Sequence, residues 1–319
     1  MKKRSFILVL AIISTIFLYP CNGQVTDPEK TLRTQEADTL QGWKTGGVIA
    51  INMAQTSLTN WSAGGQNSIS VNGIFSGFAN YTRNKSVWVN SLDIGYGILK
   101  QGKDYGARKT DDKFEFTSKY GQLAFKNFYY AALFNFKTQM APGYNYPDVT
   151  NKISDLFSPA YMIFALGMDY KPNAYLSAFI APATARIILV NDQVLSDAGA
   201  FGVNPGDKSK SEFGGYLRAI YSRNDFKGEF LKNVTFTTKV DLFSNYADKP
   251  QNIVVNWETL LSLKVNKYIS ANLNTQLIYD DKIKILDDGN GNGAADPGES
   301  YGPRVQFKEI LGVGFSYNF

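Results

Sequence analysis

The residues whose types and spacing could do chemistry fall in one stretch, Asp288-Gly-Asn290-Gly-Asn292-Gly293-Ala294-Ala-Asp296-Pro-Gly-Glu299. Oxygen side chains stand at positions 1, 3, 5, 9 and 12 of a twelve-position frame with glycine at position 6. That is the spacing by which a calcium loop wraps a hard cation in oxygen ligands. Asp288, Asn290 and Asn292 would enclose the ion, and the Ala294 carbonyl would supply position 7. Asp296 would take position 9, and Glu299 would close the cage with both carboxylate oxygens. Asp288, Asp296 and Glu299 are its only acidic ligands, which suits weak binding at the millimolar calcium found outside cells. The expected role of Ca2+ is to order a surface loop, with no catalytic duty. The competing reading is a polar loop rich in Asp, Asn and Gly that holds no ion.

Catalysis has little to work with. The chain has no His, so Ser-His-Asp triads, imidazole acid–base pairs and histidine metal sites are excluded. The adjacent carboxylates Asp111-Asp112, Asp280-Asp281 and Asp287-Asp288 sit in or beside expected loops and read as solvated. No enzyme is expected.

The elements that would position the calcium loop are strands. From Val305 to Phe319 the odd positions read Val, Phe, Glu, Leu, Val, Phe, Tyr, Phe, and the even positions are mostly small or polar. A period of two over such a length is a β-strand with different solvents on its two faces. The same alternation recurs in 44–55, 66–81, 85–98, 113–124, 128–138, 156–170, 174–188, 211–222, 232–244, 252–265 and 268–280. With 304–319 this makes about 12 strands, an even number of the kind bacterial barrels use. Short connections (82–84, 126–127, 171–173, 223–231, 266–267) alternate with mostly longer ones (56–65, 99–112, 139–155, 189–210, 245–251, 281–303). The expected fold is all-β: a transmembrane antiparallel up-and-down β-barrel with short periplasmic turns and long outer loops. The terminal Phe315, Tyr317 and Phe319 resemble the signature by which outer-membrane assembly machinery takes up a barrel through its C-terminal strand.

Residues 1–23 read as a cleaved secretory signal: Lys2, Lys3 and Arg4, then the apolar run Phe6–Tyr19, then Cys21 and Gly23 as small residues before the cut. A retained anchor and lipidation at Cys21 are the alternatives. Cleavage removes three cations and takes the formal charge from +5 to +2. No basic tract remains, and no nucleic-acid partner is expected. Residues 24–41 form a polar periplasmic tail, and 42–319 form the barrel, exported to the outer membrane with lipid as its surroundings.

Charges at Lys113, Glu115, Lys119, Arg218, Lys239, Asp241, Glu258, Lys264 and Lys308 fall on the expected inward faces. They either line a solute-selective lumen or pair across a barrel narrow enough to be plugged. Trp61, in Asn60-Trp61-Ser62, reads as an aromatic anchor at the outer interface.

Several strings resemble a Bacteroidota family of outer-membrane proteins defined only as a domain of unknown function. They are QTSLTNWSAGGQNSISVNG at 55–73, NSLDIGYGILKQG at 90–102, DDKFEFTSKYG at 111–121, FNFKTQMAPGYNYP at 134–147 and ISDLFSPAYMIFALGMDYKPN at 153–173. The resemblance implies a barrel and brings no catalytic residues. Two functions stay open. One is a small-solute channel; the other is a non-conducting accessory barrel that binds envelope protein partners for assembly, secretion or uptake.

Overall fold

The structure is a computed structural model that describes residues 41–59, 66–102, 106–228, 231–266, 268–287, 289 and 296–318. The expected signal and tail therefore lie outside the described residues, apart from Gln41. So do Trp61, Phe319, and Asp288, Asn290, Asn292 and Ala294 of the calcium frame.

In chain order the elements are β1 (Gly42–Thr56), β2 (Ser68–Arg83), β3 (Ser86–Gln101), β4 (Arg108–Phe125), β5 (Phe128–Thr138), β6 (Gly143–Tyr144), β7 (Lys152–Ser154), β8 (Ala160–Asn173) and β9 (Leu176–Leu189). A short helix α1 (Gln193–Asp197) and a 3-10 turn (Ala200–Gly202) follow. Then come β10 (Ser209–Arg223), β11 (Val234–Asn245), β12 (Ile253–Lys264), β13 (Ile269–Tyr279), β14 (Lys284–Leu286), β15 (Tyr301–Pro303) and β16 (Gln306–Asn318). Twelve of these strands close one antiparallel ring, in the order β1-β16-β13-β12-β11-β10-β9-β8-β5-β4-β3-β2. Each expected strand corresponds to one member of the ring. The remaining strands form two small hairpins, β6–β7 and β14–β15, inside long loops. The strand expected from 113 begins earlier, at Arg108, because Lys109 and Asp111 pair with Ile98 and Gly97 of β3 across a bulge.

The sheet is apolar outside and polar inside. On β1 the side chains of Ile49, Ile51 and Met53 are exposed, and the alternate Ala50 and Asn52 are buried. On β16 Phe307, Leu311, Val313, Phe315 and Tyr317 are all exposed outwards. The inward positions include Glu115, Lys119, Asp169, Arg186, Arg218 and Glu258, all buried. This inverts the arrangement of a water-soluble barrel, where apolar side chains leave water for the interior.

The alternation slips once on β9. Ser177, Phe179 and Ala181 are buried, Pro182 and Ala183 are both exposed, and Thr184, Arg186 and Ile188 are buried again. The ladder shifts opposite, between Gly214 and Tyr216 of β10. This is a bulge, and proline suits it because no ladder hydrogen bond is asked of its nitrogen. Gly167 of β8 sits against the bulge, where an added Cβ would run into the Ile180 carbonyl and Ala181 Cα.

Closure is asymmetric. Every residue of β1 from Gly42 to Thr56 pairs with β2. Among the described residues, Val48 to Asn52 pair with β16, in a register from Val48↔Asn318 to Asn52↔Gly314.

The long connections gather at one end and carry structure of their own. Asp192 caps α1 by accepting from Leu195 N at 3.1 Å. Val190, Leu195 and Val203 form a small apolar core with Ile188, and Tyr161, Ala200 and Phe201 pack against it. Lys152 Nζ lies 2.7 Å from Asp155 and 2.6 Å from Asp192, which ties loop 139–159 to loop 190–208.

Candidate functional site

The interior charges meet in three tiers. At mid-height Lys113 Nζ of β4 lies 2.8 Å from Glu258 Oε2 of β12. These two strands stand half a turn apart around the ring, so this pair bridges the barrel from wall to wall. Lys113 also lies 3.0 Å from Glu115, and Lys239 Nζ of β11 lies 3.1 Å from Glu115 and 3.4 Å from Glu258. Arg218 of β10 holds Asp241 at 2.5 Å and reaches Glu115 at 3.7 Å. Asn135 donates to Glu115 at 3.0 Å, and the Tyr216 hydroxyl to Asp241 at 2.5 Å.

Towards the short turns the interior is filled. Lys119 Nζ donates to Asp169 Oδ2 at 2.8 Å, and Lys171 lies 3.5 Å from the same oxygen. Beside them Ala131, Leu133, Ala165, Phe179, Ala181, Tyr216 and Phe243 form an apolar cluster inside the barrel wall. Burial reaches lumen-facing residues round most of the ring, among them Asn52, Asn72, Glu115, Asn135, Asp169, Thr237, Ser262 and Ser270. A wide aqueous pore would leave such residues wet.

Towards the long loops the interior opens into a cavity of about 460 Å³. Its apolar wall includes Tyr161, Ile163, Phe201, Phe243, Val254 and Ile278, and Lys137, Arg186 and Lys308 reach into it. Arg186 spans the rim, with Asp280 at 2.7 Å and Glu212 at 3.1 Å. Lys282 lies 2.5 Å from Glu212 and 3.2 Å from Asp248. Lys308 donates to Asp111 at 2.8 Å.

The surrounding loops carry shifted groups. Hydrogen bonds to Asp155 and Asp192 raise the Lys152 ammonium above the ordinary lysine range. The same bonds hold both carboxyls below the ordinary aspartate range.

The structure brings Lys113, Glu115, Arg218, Lys239, Asp241 and Glu258 into one network, while Lys119 and Lys308 pair separately with Asp169 and Asp111. Lys264 also has a partner. Mutual pairing is thus what these charges do, across the barrel at Lys113–Glu258 and Lys239–Glu115 and between nearby strands at Arg218–Asp241 and Lys119–Asp169. The reading of Asp111-Asp112 and Asp280-Asp281 as solvated is corrected. Asp112 is buried, holds Lys109 at 2.8 Å, and accepts from the backbone N–H groups of Met140 and Ala141. Asp280 is buried against Arg186. Asp111 shares the inward face of Lys113 and Glu115 and meets Lys308, Asp112 is covered at the rim by the chain at Met140 and Ala141, and Asp280 turns inward to Arg186.

Lys137, Asp169, Arg186 and Glu212 were not singled out from sequence. A lone Arg within the apolar run Ala183–Val190 was the available signal, since an isolated charge in such a strand needs an inward partner.

Of the expected calcium ligands, Asp296 and Glu299 are described. The Glu299 carboxylate accepts from Gly289 N at 2.9 Å and from Asp296 N at 3.0 Å, which draws the two ends of the frame together.

Residues 53–144 match the family described as "Protein of unknown function (DUF3078)". No curated protein matches the chain. Among solved structures, the COG4313 outer membrane channel from Pseudomonas putida F1 aligns at 10% identity and a TM-score of 0.39, over 89% of this chain and 98% of that one. The beta domain of the Bordetella autotransporter BrkA aligns at 9% identity and a TM-score of 0.29, over 86% and 96%. At these scores neither likeness bears on function.

Proposed function

We propose that the protein is an integral outer-membrane β-barrel whose lumen is shut at mid-height by its own ion pairs, leaving a vestibule that faces out of the cell. The observation that carries this reading is the Lys113–Glu258 contact between strands half a turn apart. Each partner is mostly buried, and the carboxylate shares further cations on both sides.

The membrane setting is supported by the outer face. On β3 the outward face runs Trp88, Asn90, Leu92, Ile94, Tyr96 and Ile98, apolar or aromatic at all but Asn90, with Trp88, Tyr96 and Ile98 exposed. Ten residues of tilted strand cover about 25 Å, the height of the apolar band of an outer-membrane barrel. Aromatic groups edge the turn end: Trp43 lies tilted against Tyr81 and Trp88 at 5.2 and 5.7 Å, and Phe128 lies between Phe125 and Tyr170 at 4.9 and 4.6 Å. Tyr96, Phe213 and Tyr246 are exposed towards the loop end. Rings favour the headgroup level on both sides of a bilayer.

In this setting lipid surrounds the barrel, and β16 is the strand the insertion machinery takes up. Ca2+ held by Asp288, Asn290, Asn292, Ala294, Asp296 and Glu299 would order the loop beyond β14 and β15. The convergence of Gly289, Asp296 and Glu299 supports that.

The closed lumen favours an accessory barrel, acting through its vestibule and loops on envelope partners, over a constantly open pore. A second reading has its own support. The wall formed by β1, β3 and β16 carries small inward residues, Ala50, Gly95, Gly97, Gly312 and Gly314, and a narrow solute path would run there if the central pairs parted. Planar-bilayer recording tests the main reading. Purified protein should insert without steady unit conductance at neutral pH, and a stable open level from the native chain overturns it.

A further inference from the structure

The vestibule has an imbalance between its donors and its acceptors. Each carboxylate facing it is saturated. Asp112 holds Lys109 and two backbone N–H groups. Asp241 holds Arg218 and the Tyr216 hydroxyl. Asp280 holds Arg186 and accepts from Lys282 N at 3.0 Å. Glu115 holds Lys113, Lys239 and Asn135.

Lys137 differs. Its ammonium reaches the cavity, yet its nearest carboxylate oxygen, Glu258 Oε1, is 3.6 Å away and already serves Asn256 at 3.1 Å. That distance is an ion pair without a hydrogen bond. Three ammonium groups, Lys113, Lys137 and Lys239, lean on Glu115 and Glu258. Asp93, on β3 and outside the cavity lining, is the further carboxylate near Lys113. An ammonium with three donors and no acceptor at hydrogen-bond distance among the described residues, beside carboxylates that need nothing more, suits an acceptor from outside.

The walls name the rest of that ligand. Beside those charges the cavity is lined by apolar and aromatic side chains, Tyr161, Ile163, Phe201, Phe243 and Ile278. A dry cavity of about 150 Å³ takes a benzene ring, and this one is about 460 Å³. A bare inorganic anion would leave those walls uncovered. We infer that the vestibule binds a small organic anion, a carboxylate carried on an apolar or aromatic body, with the carboxylate on Lys137 and the body against Phe201, Phe243 and Ile278. This rests on the reading of the cavity as a vestibule open to the outside. It does not depend on whether the barrel conducts, so conductance and binding fail separately.

The test is calorimetric titration of the full chain in lipid nanodiscs with benzoate and with its neutral isostere benzamide. Benzoate should bind and benzamide should bind at least about ten-fold more weakly, the worth of a charge-assisted hydrogen bond. Lys137→Met should lower benzoate affinity by a similar factor, and Lys137→Arg should keep most of it. Ile278→Trp, which fills the cavity and leaves the charges in place, should abolish binding. Barrel folding of each variant is checked by its heat-dependent gel mobility. Failure of benzoate to bind, equal affinity for benzamide, or unchanged affinity in a folded Lys137→Met barrel each overturns the assignment.

Discussion

Replacing Glu258 by Gln removes one charge and almost no volume. The native carboxylate meets Lys113 at 2.8 Å, Lys239 at 3.4 Å and Lys137 at 3.6 Å, and accepts from the Asn256 amide at 3.1 Å. Glutamine can still accept, but three ammonium groups then share Glu115 as their nearest carboxylate. Removing one partner of a buried ion pair costs about 3–5 kcal/mol, because an uncompensated charge stays behind. Each ~1.4 kcal/mol is a factor of ten, so the unfolded population should rise by roughly two to three and a half powers of ten. Urea unfolding in thin lipid bilayers, followed by tryptophan fluorescence, reads this as a lower midpoint at unchanged slope. Lys239→Met on the Glu258→Gln background removes the surplus cation and should recover more than half of the loss. In bilayers Glu258→Gln alone should show transient openings absent from the native barrel. A stability loss below about 1 kcal/mol, the range of solvated surface pairs, refutes the reasoning, because the lumen would then be wet and the network screened.

Gly167→Ala should prevent compact barrel formation, read as loss of heat-shifted gel mobility, because the new methyl meets the Ile180 backbone at the bulge. Lys152→Ala should free loop 139–159 from loop 190–208 and raise its hydrogen exchange without altering the barrel strands. The native tie should have a defined pH window. The lowered carboxyls of Asp155 and Asp192 contribute above the ordinary aspartate value of about 3.9 and lose that contribution as pH falls through their folded values. The raised Lys152 contributes up to the ordinary lysine value and loses it as pH rises further. Protection factors in these loops, taken relative to the intrinsic exchange rate at each pH, should therefore stay high from about pH 5 to 9 and fall on acidification below about pH 4. Calcium titration at millimolar concentration should release or absorb heat, and Asp288→Ala should abolish it; a silent native titration removes calcium from the account.

The barrel was legible because its two faces meet different solvents. The expected alternation holds in β16 from Phe307 to Phe315, and short turns alternating with long loops mark the up-and-down order. Loop contents were less legible: α1 is too short for a helical period to show, and β6, β7, β14 and β15 are two or three residues long. The candidate site was legible only as a set of inward charges. Which charge meets which depends on ring geometry, since Lys113 and Glu258 lie 145 residues apart. The β9 bulge shifts the inward phase from odd to even positions at Pro182, so one alternation drawn through the whole segment places Arg186 on the wrong face. Lys137 escaped notice because a lysine two residues from Asn135 on the inward face reads like any other lumen charge until the distances to its neighbours are known.

The short ladder between β1 and β16 has a mechanical consequence. A cylinder of hydrogen-bonded strands tears along its weakest zipper, and here that zipper joins five residue pairs among the described residues while β1 is bonded to β2 along its whole length. Backbone groups exposed to hydrocarbon are costly, so the native ring stays shut, yet lateral stretch in the bilayer plane concentrates at this line. Under force the cylinder should unroll into a sheet from β1 and β16 outwards, and the Lys113–Glu258 bridge, which joins opposite walls, should part as the ring opens.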